Sequence, residues 1–321
     1  MEGPPMKIST REVFQLAERC LAGAGLPPGT ARATARAIWW TEVYKGSGCT
    51  TLRALLEEYP ELDRTKLKRD DRTSPFTVVV GDDQPSLLSS TAALDLGCSE
   101  AKRDGIGIVH ATIPESDGTS SVVGHAAYHA ARRGLVSIVT YYGGTGESFT
   151  VVGTPGQSRP LLAEANVDRP STSYRQITDV IHSRSYNRKR TSLYRKFFDR
   201  DRSGDHSSAE TCLIDRLLSE SVRPDRETSE DVEPGFVTIC VDPFHPRFSG
   251  GIQQLAERFV TDQEADFATV YRPERVRKRV QQLSDRGVDV ERDVWEELFE
   301  RSNGIFAPDS EGAQRAGPGL D

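Results

Sequence analysis

Cys49 and Arg53 stand four residues apart in the run Gly46-Ser-Gly-Cys-Thr-Thr-Leu-Arg53. On a helix that spacing puts a guanidinium beside a thiol. A neighbouring cation lowers a thiol pKa and turns the sulfur into a nucleophile or proton carrier. The competing reading is a buried, inert cysteine that serves as a small hydrophobe. His125 and His129 repeat the four-residue spacing, with which two imidazoles can share a metal ion. Ala126 rather than Glu follows His125 and no third ligand is evident, so packed or surface histidines are the other reading. Ser116, Thr119, Ser120 and Ser121 precede a helix start, where free amides and the helix dipole favour a carboxylate or phosphate. Ordinary N-capping needs only one of them.

Two further groups lie in the polar middle of the chain. Asp199, Asp201, Ser203, Asp205 and Glu210, with Gly204 at the sixth position, fit the twelve-residue calcium loop. His206 stands where that loop expects a β-branched apolar residue, only one such loop is present, and Arg200 and Arg202 offset its charge. A solvated loop of mixed charge is the alternative. Arg184, Arg188, Lys189, Arg190, Arg195 and Lys196 alternate with Tyr186 and Tyr194, a pattern that can follow a nucleic-acid backbone. In an acidic protein a surface segment accounts for it as well, so nucleic acid is not the expected partner.

The elements that must position these groups can be read from periodicity. Ser9-x-x-Glu12 is a capping box ahead of Val13, Leu16, Ala17, Cys20 and Leu21 at helical spacing. This helix ends near Gly23–Gly25, and a second is predicted over 30–44 after Pro27-Pro28-Gly29. A third carries Leu52, Leu55, Leu56 and Tyr59. Thr77 to Val80 reads as a strand, and an apolar helix end runs into Gly105. Residues 106–111 are then β-rich, a small-residue helix stops at Gly134, and 135–142 is a second β run before Gly143, Gly144 and Gly146. Strand, loop, helix and strand predict a right-handed βαβ crossover. Its ligands would lie beyond the strand ends, near 113–119 and 142–148.

The expected organisation is an N-terminal helical segment over 1–75, joined by part of the C-terminal region, and an α/β core over 76–165. A polar insertion over 166–232, poor in hydrophobic residues, reads as weakly ordered. A strand and helices over 233–303 follow, with the buried strand GFVTICVDPF and helices near 251–261, 273–286 and 292–301. A disordered tail is expected over 304–321.

Lys+Arg of 41 against Asp+Glu of 48 leaves a net charge of −7, which disfavours a general nucleic-acid binder. No apolar run approaches the ~20 residues needed to cross a bilayer, and MEGPPMKIST lacks the apolar core of a secretory signal. Five scattered cysteines without a CxxC fit reduced thiols. A cytoplasmic protein without membrane contact is expected.

Several segments occur in a recognisable order: AGAGLPPGTARATARAIWWTEVYKG, AKRDGIGIV, GHAAYHAARRGLVSIVTYY, GTPGQSRPLLAEA, GFVTICVDPFHPRF, YRPER and RGVDVERDVWEEL. Over about 8–165 and 233–300 the chain resembles the malate/L-lactate dehydrogenase family that is distinct from the Rossmann lactate dehydrogenases. The resemblance implies a mixed α/β fold, a homodimer, and NAD- or NADP-dependent chemistry on a small 2-oxo or 2-hydroxy acid. It implies cofactor contacts from Gly118, Thr119, Ser120, Gly124, Tyr142 and Gly144, and substrate near Ser47–Arg53. Gly144-x-Gly146 with Phe149 at the third position is not a Rossmann fingerprint, and this family does not use one.

The chain departs from the family where its chemistry lies. The family's Ser-His-Gly acid/base loop corresponds to Gly46–Thr50, so Cys49 takes the place of the histidine, with Arg53 matching the family's following arginine. A thiol near its usual pKa of ~8.5 is a poor proton shuttle beside imidazole. The family's Asn-His pair corresponds to Asp117-Gly118-Thr119, and its Asp-x-Ala-Thr-Ser and Lys-Gly segments have no counterpart. Two readings follow. One is an NAD(P)-linked oxidoreductase with a divergent site. The other is a non-catalytic relative that binds or regulates, with calcium at Asp199–Glu210.

Overall fold

The computed structural model describes residues 5–70, 76–81, 83–114, 120–143, 147–156, 159–182, 216–223, 232–246, 248 and 251–303. They fall into two compact units, 1–63 with 282–321, and 64–281. No helix among the described residues is long and apolar enough to cross a membrane.

The first unit opens with a short strand β1 (Met6–Ile8) and the helix α1 (Thr10–Gly23). The capping box is formed: Glu12 N–H donates to Ser9 Oγ at 3.1 Å and Ser9 N–H to Glu12 Oε2 at 2.9 Å. Helix α2 (Pro28–Lys45) has proline in its first turn and ends on Gly46 at φ 70°, the left-handed conformation that glycine adopts without strain. Helix α3 (Gly48–Glu58) buries Leu52, Leu55 and Leu56. Near the C-terminus a strand over Val288–Val290 pairs antiparallel with β1, and a helix over Arg292–Asn303 buries Val294 and Leu298. Cys20 Sγ donates to the Leu298 carbonyl at 3.1 Å.

The second unit is built on an eight-stranded mixed sheet. Its strands are β2 (Lys68–Asp70), β3 (Thr77–Val80), β4 (Ile106–Thr112), β5 (Val136–Tyr142), β6 (Ser148–Thr154), β7 (Leu161–Asn166), β8 (Gly235–Val241) and β9 (Thr269–Tyr271). Their order across the sheet is β2-β3-β4-β8-β5-β6-β7-β9. The helices are α4 (Ser86–Asp104), α5 (His125–Arg132), α6 (Thr172–His182), α7 (Ile252–Asp262) and α8 (Pro273–Arg286).

The strands of the predicted crossover, β4 and β5, run in the same direction with α5 between them in sequence. They do not pair, because β8 lies between them and pairs antiparallel with both. All seven residues of β8 are buried. So apolar a strand is most stable at the sheet centre, with a ladder on each side and both faces covered. The parallel neighbours are instead β3 and β4, joined through α4. Beyond β5 the chain turns back as a hairpin, with Tyr142 opposite Ser148 and Gly143 N–H donating to the Glu147 carbonyl at 2.8 Å.

The stretch 166–232, read from its composition as a polar insertion, contributes to the core. α6 buries Tyr174 and Ile177, and Leu217 and Leu218 of the helical stretch 216–222 are buried with them against Ile138, Val237 and Ile239. The remainder of that stretch, with the basic cluster and the calcium-loop residues Asp199, Asp201, Ser203, Asp205 and Glu210, lies outside the described residues.

Candidate functional site

In the first unit, Cys49 sits in the first turn of α3. Gly48 is obligatory there, since a Cβ would strike the Ile38 carbonyl and come within 2.7 Å of Glu42. Buried Glu42 reaches back from α2, and its Oε2 accepts the Cys49 N–H at 2.8 Å. A carboxylate at a helix N-terminus satisfies a free amide and the helix dipole together. For the sulfur the outcome is opposite to activation. Burial, and then the Glu42 charge, push the Cys49 thiol well above its ordinary range. Arg53 is turned to a different partner, donating to Asp293 Oδ2 at 3.0 Å and drawing that carboxyl below its usual range. The cation-activated thiol is therefore not formed; of the two readings of Cys49, the protonated, enclosed sulfur is the one present.

In the second unit, one end of one sheet face is polar. Pairing sets Thr112, Gly235, Tyr142 and Ser148 in a row at the ends of β4, β8, β5 and β6. One pleat inward on the same face the row is His110, Val237, Thr140 and Thr150. Further along, that face is apolar, with Ile108, Ile239, Ile138 and Val152. Above the polar rows, Tyr174 of α6 is fully buried, its ring 5.8 Å from His110 and 6.1 Å from Tyr142. Its phenol donates to the Glu233 carbonyl at 2.7 Å, and burial holds that phenol well above its ordinary pKa, hence protonated. Ser171 Oγ accepts the Tyr174 N–H at 3.1 Å, Thr150 Oγ1 donates to the Ser221 carbonyl at 2.7 Å, and Ser221 Oγ to Ser173 Oγ at 3.2 Å.

Two hydroxyls stand apart from this network. Thr140 Oγ1 and Ser148 Oγ are buried and have no hydrogen-bond partner among the described residues. A buried polar group without a partner costs about 1–3 kcal/mol. The two lie diagonally across the β5–β6 pair on one face. Among the described residues, Tyr142, half-buried at the rim, is the one sequence-expected cofactor residue brought into this end of the sheet. Gly124 is buried where the helical turn Ser120–Gly124 enters α5, and the Ser120 side chain lies outside the described residues. Gly118, Thr119 and Gly144 do as well. Sequence reasoning did not single out His110, Thr140, Ser148 or Tyr174.

Among the described residues the histidine pair has no third metal ligand. His125 is fully enclosed, its Nδ1 lies 2.8 Å from the Val122 carbonyl, and its ring meets His129 edge-on at 5.7 Å. Among the described residues no cluster of three or more His, Cys, Asp or Glu could hold a metal ion. Burial, outweighing the Val122 carbonyl, lowers the His125 pKa from 6.5 to about 4. The folded protein therefore keeps it neutral, whereas the unfolded chain takes up a proton below its ordinary pKa. Stability from this group is complete above pH 6.5 and is lost as the pH falls toward 4. Denaturant unfolding at pH 7 and pH 5 should show a loss of about 2 kcal/mol from this source. His125→Gln should flatten that dependence, and an equally steep one in the variant would refute the assignment.

No protein-family profile matches the sequence, and no curated protein matches it. Solved structures do match. Malate dehydrogenase from Pyrococcus horikoshii OT3 superposes with a TM-score of 0.55 at 15% identity, over 95% of this chain and 97% of that one. A dehydrogenase from Sinorhizobium meliloti gives 0.56 at 16% identity, covering 92% and 99%. Sulfolactate dehydrogenase from Methanocaldococcus jannaschii gives 0.52 at 13% identity, covering 93% and 97%. The chain thus has the mixed α/β fold of the malate/L-lactate dehydrogenases.

Proposed function

We propose that the protein binds a nicotinamide dinucleotide at the polar end of its large sheet and acts as an oxidoreductase on small 2-hydroxy or 2-oxo acids. The observation that carries this reading is the pair of unpartnered hydroxyls, Thr140 and Ser148, beside His110, Tyr142 and Tyr174. The residues fit the group. A carboxamide and ribose hydroxyls carry both donors and acceptors, and hydroxyl side chains can answer either. Bound, the cofactor would supply or accept the hydride. Thr140 and Ser148 would hold its polar edge, Tyr142 would cover it at the rim, and Tyr174, kept protonated and tied to Glu233, would keep the wall rigid. The full-length likeness to dehydrogenases supports the same class.

A second reading, binding without turnover, is favoured by one observation: Cys49, which the resemblance sets in the acid/base position, is buried beside Glu42, and both hold its proton. A single assay separates the two. The full chain is mixed with NADH or NADPH and a panel of short 2-oxo acids, and loss of reduced cofactor is followed by absorbance. Turnover of at least one acid is the expected result. Cofactor binding with no turnover of any acid would establish the second reading instead.

A further inference from the structure

Within the second unit, the helical stretch 216–222 and the end of α7 line a cavity of about 280 Å³. Ligand pockets typically hold roughly 300–1,000 Å³, so this one suits a small molecule rather than a dinucleotide. The apolar part of its lining continues the core. Phe267 is 6% exposed, and Val222 and Phe259 are half-buried against the same cluster.

The polar part carries both signs of charge. Arg223 follows the helical stretch, its N–H donating to the Ser219 carbonyl at 3.2 Å and its own carbonyl accepting the Thr172 N–H at 3.4 Å. Those bonds fix the backbone that bears the guanidinium. Asp266 closes the short turn Glu264–Asp266, with its N–H donating to the Gln263 carbonyl at 2.8 Å. The two side chains line one cavity, one from each segment, yet among the described residues neither has an ion-pair partner. α7 has no basic residue in its last turn, so the negative end of its dipole adds to the Asp266 side. Ser219 and Gln263 complete the lining, and both can donate to a carboxylate.

We propose that this cavity binds a free α-amino acid with an apolar side chain. Its carboxylate would lie on Arg223, whose planar fork matches two carboxylate oxygens. Its ammonium would lie on Asp266, at the carbonyl end of α7, and its side chain against Val222, Phe259 and Phe267. An acid without an ammonium leaves Asp266 an unanswered anion beside the ligand, and an amine without a carboxylate leaves Arg223 unanswered. The zwitterion meets both. The site shares no residue with the polar sheet end and stands whether or not a dinucleotide binds there.

The test is calorimetric titration of the full chain, without dinucleotide, with L-leucine, L-methionine and L-phenylalanine. At least one should bind one-to-one at or below millimolar concentration. Arg223→Gln and Asp266→Asn should each weaken that binding about five-fold or more, since a charge-assisted hydrogen bond is lost at a site that solvent screens in part. Both residues are exposed, so both variants should keep the wild-type unfolding midpoint. The matching acid without the ammonium, and the matching amine without the carboxylate, should bind more weakly by a similar factor. No binding of any of the amino acids at millimolar concentration, or binding that both substitutions leave unchanged, would overturn the proposal. Equal binding of the acid without its ammonium would overturn it too, because the cavity would then be a site for carboxylates.

Discussion

Gly235→Ala is expected to destabilise the protein by about 1–3 kcal/mol and to weaken cofactor binding with it. A Cβ at this position would lie 2.5 Å from the Ala111 carbonyl, 2.8 Å from Tyr174 Oη and 3.2 Å from His110 Nε2. None of these can yield cheaply. The Ala111 carbonyl belongs to β4, held in register with Gly235 opposite Thr112. The Tyr174 phenol is engaged with Glu233, and His110 is fully buried. The methyl must either spread β4 from β8 or push Tyr174 off the polar rows, and both routes deform the wall proposed for the dinucleotide. Gly29→Ala is the matched control, because nothing lies within 4 Å of its Cβ position. In that helix, stability should be unchanged or higher by up to about 1 kcal/mol. Urea unfolding of the two variants beside the wild type checks the pair. Equal stability in both would mean that the sheet end is far softer than its contacts imply.

Thr140→Val should move stability and binding in opposite directions. Valine keeps the shape of threonine and removes a hydroxyl that has no partner among the described residues. The cost of burying that hydroxyl disappears, so the unliganded protein should gain about 1–2 kcal/mol. If the hydroxyl is there to meet a dinucleotide, the same change removes one hydrogen bond from the complex. Affinity should then fall about five- to ten-fold. Thermal unfolding with and without reduced cofactor reads both effects in one experiment, since ligand stabilisation scales with affinity. A variant that is less stable without ligand would show the hydroxyl to be satisfied within the protein, and the polar end would lose its claim as a binding wall.

How far these features could be read from the residues depended on the range of the signal. The capping box Ser9-x-x-Glu12 formed as written, because four neighbouring residues decide it. The β8 run GFVTICV was plain as a buried strand. Its place between β4 and β5 was not, since its pairing partners lie roughly a hundred residues or more away in sequence and pairing is set by the whole sheet. Short strands such as β1 and its partner Val288–Val290 carry too few residues for an alternation to show. α6 escaped notice because it hides a Tyr and an Ile among Thr, Ser, Arg and Gln.

The polar sheet end did leave a trace. His110 and Thr112, Thr140 and Tyr142, and Ser148 and Thr150 are each two residues apart in apolar surroundings. That period puts both members of each pair on one face. Only the pairing of the strands makes the three faces one. Cys49 and Arg53 failed as a chemical pair for a related reason. Helical spacing allowed their contact, but Glu42 from the preceding helix and Asp293 from far along the chain took the two groups apart.

Titration of the full-length protein with NADH and NADPH, followed by the fluorescence of the bound reduced nicotinamide and by calorimetry, addresses the binding claim most directly. Saturable one-to-one binding below millimolar concentration, weakened by Thr140→Val and by Gly235→Ala but not by Gly29→Ala, is the predicted result. No binding of either dinucleotide at millimolar concentration would contradict it, and the fold would then serve some purpose other than nicotinamide chemistry.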